Sequence, residues 1–156
     1  MSKVIAVLQA KDTAAACDQL DDDTTFFYVD WREQDELIAE SCESVLQTGS
    51  LRGELVEVDS GDGFEVHLQF QDRKMKVPLT YCEDDRHITL CTLNRLLAPE
   101  FEIRLCIDSI GADTLTFLPL PTKEWRELEK QYGPAVSQHF YQFADRPNLF
   151  TDTLPF

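Results

Sequence analysis

The run Phe64-Glu65-Val66-His67-Leu68-Gln69-Phe70 alternates without a break between apolar and polar side chains. Successive side chains of a β-strand point to opposite faces, so this run makes one apolar face and one polar face. Such a strand belongs in an antiparallel sheet that is covered on one side and wet on the other. Its neighbours extend the pattern. Glu54–Val58 is a second strand-like run, joined to the first by Asp59-Ser60-Gly61-Asp62-Gly63, a loop of turn formers. Gln71-Asp72 turns the chain into Arg73–Leu79, where Pro78 marks an edge or a strand end.

Helical spacing takes over on either side. Leu37, Ile38, Cys42, Val45 and Leu46 recur every three to four residues, which predicts a helix stopped at Thr48-Gly49. Asp30 is its expected cap, with Glu33 completing the capping box. A second helix is expected from Arg86 to Ala98, capped by Asp84 or Asp85 and stopped by Pro99. Phe101, Ile103, Leu105 and Ile107 then alternate, and Ser109–Asp113 turns into the strand Thr114–Leu118. Thr122 caps a last helix bearing Trp125, Leu128 and Tyr132. Gly133-Pro134 breaks it, and a further piece carries Val136, Phe140 and Phe143. At the start, Lys3–Gln9 is expected as a short buried strand, Thr13–Leu20 as a helix and Thr24–Val29 as a strand. Leu149, Phe150, Leu154 and Phe156 predict that the tail, residues 145–156, docks on the body.

These elements define an α+β class. The expected architecture is an antiparallel sheet of about five to seven strands with three to four helices packed mainly on one face. The 156 residues suit a single domain, 1–156, which can hide roughly 70% of its unfolded surface without a metal or disulfide staple.

Charge narrows the function. The chain carries 29 acidic and 14 basic residues, a net charge of −15. A field of that sign repels nucleic acid and anionic membranes and attracts basic proteins, speeding their capture by about 10–1000-fold at low salt. About half of the excess lies between residues 21 and 43, where Asp21, Asp22, Asp23, Asp30, Glu33, Asp35, Glu36, Glu40 and Glu43 face a single base, Arg32. On the expected helix, Glu36 and Glu40 are like-charged at i,i+4, and the pairs Glu33–Glu36 and Glu40–Glu43 at i,i+3. Each such pair costs a few tenths of a kcal/mol that a lysine would remove.

Motifs for chemistry are sparse. Cys17, Cys42, Cys82, Cys91 and Cys106 are odd in number and contain no C-x-x-C, so they read as reduced thiols of a cytoplasmic chain. The apolar opening Val4–Leu8 is too short for a signal peptide or a membrane span. Asp21–Asp23 and the Asp59–Asp62 loop lack the alternating ligands of a calcium loop, and no metal or cofactor is expected. His67 beside Glu65 reads as a solvent-facing strand residue, and His87 sits in a helix's first turn. Arg73, Lys74 and Lys76 form a small basic spot on a strand. No catalytic residue is expected; the one enzymatic route considered pairs Cys82 or Cys106 with a histidine.

Compact, acidic chains without catalytic motifs resemble the small bacterial immunity proteins, and the acidic run from Asp21 to Glu43 carries that likeness. The resemblance implies an inhibitor that covers the substrate channel of a basic toxin such as a nuclease. Asp35, Glu36, Glu40 and Glu43 would then form the contact surface, Asp21, Asp22 and Asp23 the outer steering charges, and Trp31 either an aromatic anchor or a core residue. The order of elements after Asp30 is also similar to secretion chaperones, which implies instead an adaptor that binds an extended segment of an effector and leaves a homodimer open.

Overall fold

The structure is a computed structural model, which describes residues 1–59 and 63–156. Its elements are α1 (Ser2–Leu8), α2 (Thr13–Cys17), β1 (Phe27–Asp30), α3 (Asp35–Leu46), β2 (Leu51–Glu57), β3 (Phe64–Phe70), β4 (Arg73–Lys76), α4 (Asp85–Leu97), β5 (Phe101–Cys106), β6 (Thr114–Pro121), α5 (Thr122–His139) and β7 (Phe140–Tyr141). The α+β class is as the sequence implies. The strands divide between two antiparallel sheets, one ordered β1-β6-β5-β7 and the other β2-β3-β4.

In the three-stranded sheet the alternating run behaves as its pattern requires. Val66, Leu68 and Phe70 are buried, while Glu65, His67 and Gln69 face out. Register places Leu51 opposite Phe70 and Leu55 opposite Val66 on one side, and His67 opposite Lys76 on the other. Part of the turn Asp59–Gly63 lies outside the described residues.

The four-stranded sheet is buried on both faces. One core joins Phe27, Val29, Ile103, Leu105, Leu115 and Phe117 to α3, α4 and the inner face of the second sheet. The other places Phe26, Cys106 and Leu118 against α1, α2 and α5. Helices thus cover both sides of this sheet rather than mainly one. The alternation of Phe101, Ile103 and Leu105 assigned these residues to one core, and Cys106 turns into the opposite one.

Two local expectations fail for identifiable reasons. Lys3–Gln9 is not a strand: α1 occupies Ser2–Leu8, and Val4, Val7 and Leu8 bury one helical stripe in the smaller core. A short apolar run satisfies either period, and here the i,i+3,i+4 spacing wins. Asp30 does not cap α3. It ends β1, paired with Thr114, and its Oδ1 accepts from the Arg32 amide 2.8 Å away. The helix starts later, at Asp35, behind Gln34.

The other helix ends lie close to their expected places. Gln47 closes α3 in the left-handed region at φ 53°. Asp84 precedes α4, but its carboxylate accepts from the Asn148 side-chain Nδ2, while Asp85 accepts from the Thr80 amide and hydroxyl and from the Tyr81 amide. Thr122 is the first residue of α5 rather than its cap. The expected break falls at Tyr132, which leaves helical geometry at φ −132° and ψ 29°, so α5 is two helical pieces joined at a kink, because Pro134 cannot donate to the preceding turn. In the tail, Leu149 is buried, and Phe150 and Leu154 pack on the larger core.

Gly53 fixes how the two layers meet. A Cβ there would stand 2.2 Å from the Glu36 carbonyl oxygen, so β2 approaches α3 as closely as backbone allows. Only glycine permits that contact.

Candidate functional site

The structure separates the expected contact residues into three groups. Glu36, Glu40 and Glu43 share a face of α3, as i,i+4,i+7 spacing requires. Of these only Glu40 is fully exposed. Glu43 is partly committed to the turn that follows, accepting from the Thr48 hydroxyl at 2.7 Å and from the Gly49 amide. Glu36 is half-buried, with its backbone against Gly53.

Asp35 leaves that face and turns toward α4. Burial, and then the negative charge of Asp85, push its carboxyl up to about 6, against the opposing pull of Arg86 and Thr89. Asp35 Oδ1 and Arg86 Nε are buried without a hydrogen-bond partner among the described residues. Asp35 is therefore a poorly solvated carboxylate between two helix starts rather than a projecting contact group.

Asp21–Asp23 lie between α2 and β1. Asp22 works locally: its carboxylate accepts from the Thr24 amide and hydroxyl and the Thr25 hydroxyl, which hold it below the usual carboxylate range. The Tyr28 hydroxyl pins the same loop, accepting from the Asp22 amide and donating to the Leu20 carbonyl. Asp21 and Asp23 remain exposed.

Six cations elsewhere are engaged with other acids. Arg73 holds Glu100, Lys74 Glu54, Lys76 Glu65, Arg95 Asp145 and Arg146 Asp152. Arg104, buried over the Trp125 ring, holds Glu102 and Glu129. The basic spot at Arg73, Lys74 and Lys76 is thus spent within the fold. Among the described residues, no salt bridge reaches a carboxylate between Asp21 and Glu43.

Trp31 resolves to the surface, 51% exposed, with the Arg32 guanidinium stacked 4.3 Å from its ring centre. It lines a groove of about 540 Å³ between the end of β1, the turn Ile110–Asp113 and the tail. The sequence had signalled this groove without its being read as one: Ile110 is a bulky apolar residue in an otherwise polar turn, and Phe156 and Leu154 are apolar residues of the tail. A second cleft, of about 440 Å³, lies between Cys91, Phe101 and Phe143. Its polar groups are already occupied. Asn94 bonds both ways to the Ile103 backbone, Arg95 holds Asp145, and Glu102 accepts from Arg104 and Gln142.

Thiol–imidazole proximity occurs at an unexpected pair. Cys91 Sγ stands 3.5 Å from His87 Nε2. His87 is buried, however, and its Nε2 donates to the Asp145 carbonyl while Nδ1 accepts from the Leu149 amide. Nε2 therefore has no lone pair for the thiol. Burial raises Cys91 to about 11 and lowers His87, so both are neutral and the pair ties the tail to α4. Of the two thiols considered for chemistry, Cys106 is fully buried and Cys82 is exposed beside the Thr80 hydroxyl at 2.8 Å. Among the described residues, no group of three or more histidine, cysteine and acidic side chains is placed to hold a metal ion. Among the described residues, no helix is long and apolar enough to cross a membrane.

No family model matches the chain, and no curated protein or solved structure matches it either.

Proposed function

We propose that the protein is an inhibitor of the immunity type, which lays its acidic surface over the basic substrate channel of a toxin and keeps the substrate out. One observation carries this reading. Among the described residues, no cation lies within ion-pair distance of the carboxylates between Asp21 and Glu43, although six of the 14 lysines and arginines are paired with acids elsewhere. Unneutralised negative potential attracts positive potential on another protein and speeds its capture. Asp21, Asp23 and Glu40, the exposed members, are its principal carriers.

The test is kinetic. Partner captured from native lysate is purified, and its association is followed from low to high salt with the native chain and with a D21K/D23K/E40K variant. Native association slows by about 10–1000-fold across that range, and the variant loses most of the dependence. Association indifferent to both salt and charge reversal overturns the reading.

The adaptor alternative draws on the apolar groove at Trp31 and requires a stable homodimer. Light scattering on the purified chain separates the two, and a monomer rules the adaptor out.

A further inference from the structure

We propose that the groove between Trp31 and the C-terminal tail seats a bulky apolar side chain carried on a lysine- or arginine-rich segment of the partner protein. This assignment rests on the charge reading above and gives it an anchor.

Three exposed apolar side chains meet here. Seven large apolar side chains stand exposed among the described residues, and Trp31 at 51%, Ile110 at 39% and Phe156 at 57% all line this groove. Its floor is closed by Leu115 and Leu149, both buried, so an entering side chain meets carbon there, while Asp113, Asp152 and Thr153 add polar atoms to the lining. Exposed apolar surface gathered in a concave site marks an interaction surface, whereas scattered apolar residues do not. Aromatic anchors in such pockets carry a large share of interface energy.

The rim selects the partner's chemistry. Asp113, exposed on the turn, and Asp152 in the tail flank the opening. Asp152 is partly neutralised by Arg146 at 3.5 Å, and the Arg32 guanidinium stacks 4.3 Å from the Trp31 ring centre, so among the described residues Asp113 is the rim acid without a cation. In sequence, Trp31 lies between Asp21–Asp23 and the acids of α3. A second copy of this chain brings its own net charge of −15 and is repelled, as are nucleic acid and anionic lipid. A basic segment with a large apolar residue satisfies both floor and rim.

The protein contains its own probe. Its tryptophans are Trp31, half exposed, and Trp125, fully buried, so acrylamide quenching of the native chain reports on Trp31. The ligand used is a short tryptophan-free peptide alternating lysine and leucine. Two controls accompany it, one with leucine replaced by serine and one with lysine replaced by glutamate. The lysine–leucine peptide protects Trp31 from quenching and binds at least about tenfold more tightly than either control. W31A weakens it by at least about tenfold, and D113K by severalfold, with the circular dichroism of both variants unchanged.

If the serine control binds as tightly and Trp31 stays quenchable, the groove assignment falls while salt-dependent binding still upholds the acidic surface. If no peptide binds, or if light scattering finds a dimer that W31A dissolves, the groove assignment falls as well. In those cases the salt dependence of partner association decides the acidic surface separately.

Discussion

Asp35 offers the sharpest test of the energetics. Its carboxyl sits between the starts of α3 and α4, raised from 3.8 to about 6 by burial and by Asp85, while Arg86 and Thr89 oppose the shift only in part. Glu36 adds repulsion from the same helix. Because the folded value lies above the unfolded one, the folded state holds the proton longer. Well below pH 3.8 both states are protonated and Asp35 has no effect. As pH rises toward 6 the unfolded state ionises first, and stability falls. A shift of about two units corresponds to about 3 kcal/mol at full strength. Partial access to water reduces that figure, and the charge's favourable place at a helix start offsets about another 0.5 kcal/mol. D35N should therefore stabilise the protein by about 1 kcal/mol at neutral pH, with the gain shrinking as pH falls below 6. Urea unfolding of native chain and D35N at several pH values between about 5 and 8 measures this. E40Q serves as control, since it removes a charge from the same helix at an exposed position. A D35N gain that does not change with pH, or one that E40Q reproduces, refutes the argument.

Other substitutions probe the packing. G53A forces a methyl against the Glu36 backbone and should cost about 2–3 kcal/mol in chemical denaturation. R104A leaves Glu102 and Glu129 without their shared cation and uncovers one face of Trp125; a loss of about 3 kcal/mol is expected in the same assay. H87A removes the acceptor for the Leu149 amide and the donor to the Asp145 carbonyl, so hydrogen exchange in residues 145–152 should accelerate while that of β5 and β6 stays slow. Alkylation of the folded chain should reach Cys17 and Cys82 and spare Cys42, Cys91 and Cys106 until denaturant is added. Rapid native labelling of Cys106 would contradict its place in the smaller core.

Much of the fold could be read wherever one periodicity ran long enough to exclude the other. Phe64–Phe70, the stripe along α3 and the Phe101–Leu105 alternation all fall in their expected elements. Val4–Leu8 was too short to decide between strand and helix, and α5, distant in sequence, chose helix by offering its apolar stripe. Asp30 illustrates a different limit. Its capping signature is local, whereas its pairing with Thr114 is not, and the sheet contact prevailed. The same holds for the acidic segment. Spacing put Glu36, Glu40 and Glu43 on one face correctly, but only tertiary packing could turn Asp35 toward Asp85 and Arg86. The groove at Trp31 joins three segments separated by long stretches of chain, so no local pattern could reveal it.

The pairing of β1 with β6 has a consequence for biogenesis. Phe27–Asp30 cannot find its partner until Thr114–Phe117 has been synthesised, so Phe26-Phe27-Tyr28-Val29 spends most of translation as an uncovered, strongly β-prone tetrapeptide. Stretches of this kind nucleate aggregation unless charged gatekeepers flank them. Asp21–Asp23 stand on one side and Asp30 on the other, so neutralising them should lower the yield of soluble chain on the ribosome even where the finished fold tolerates the change.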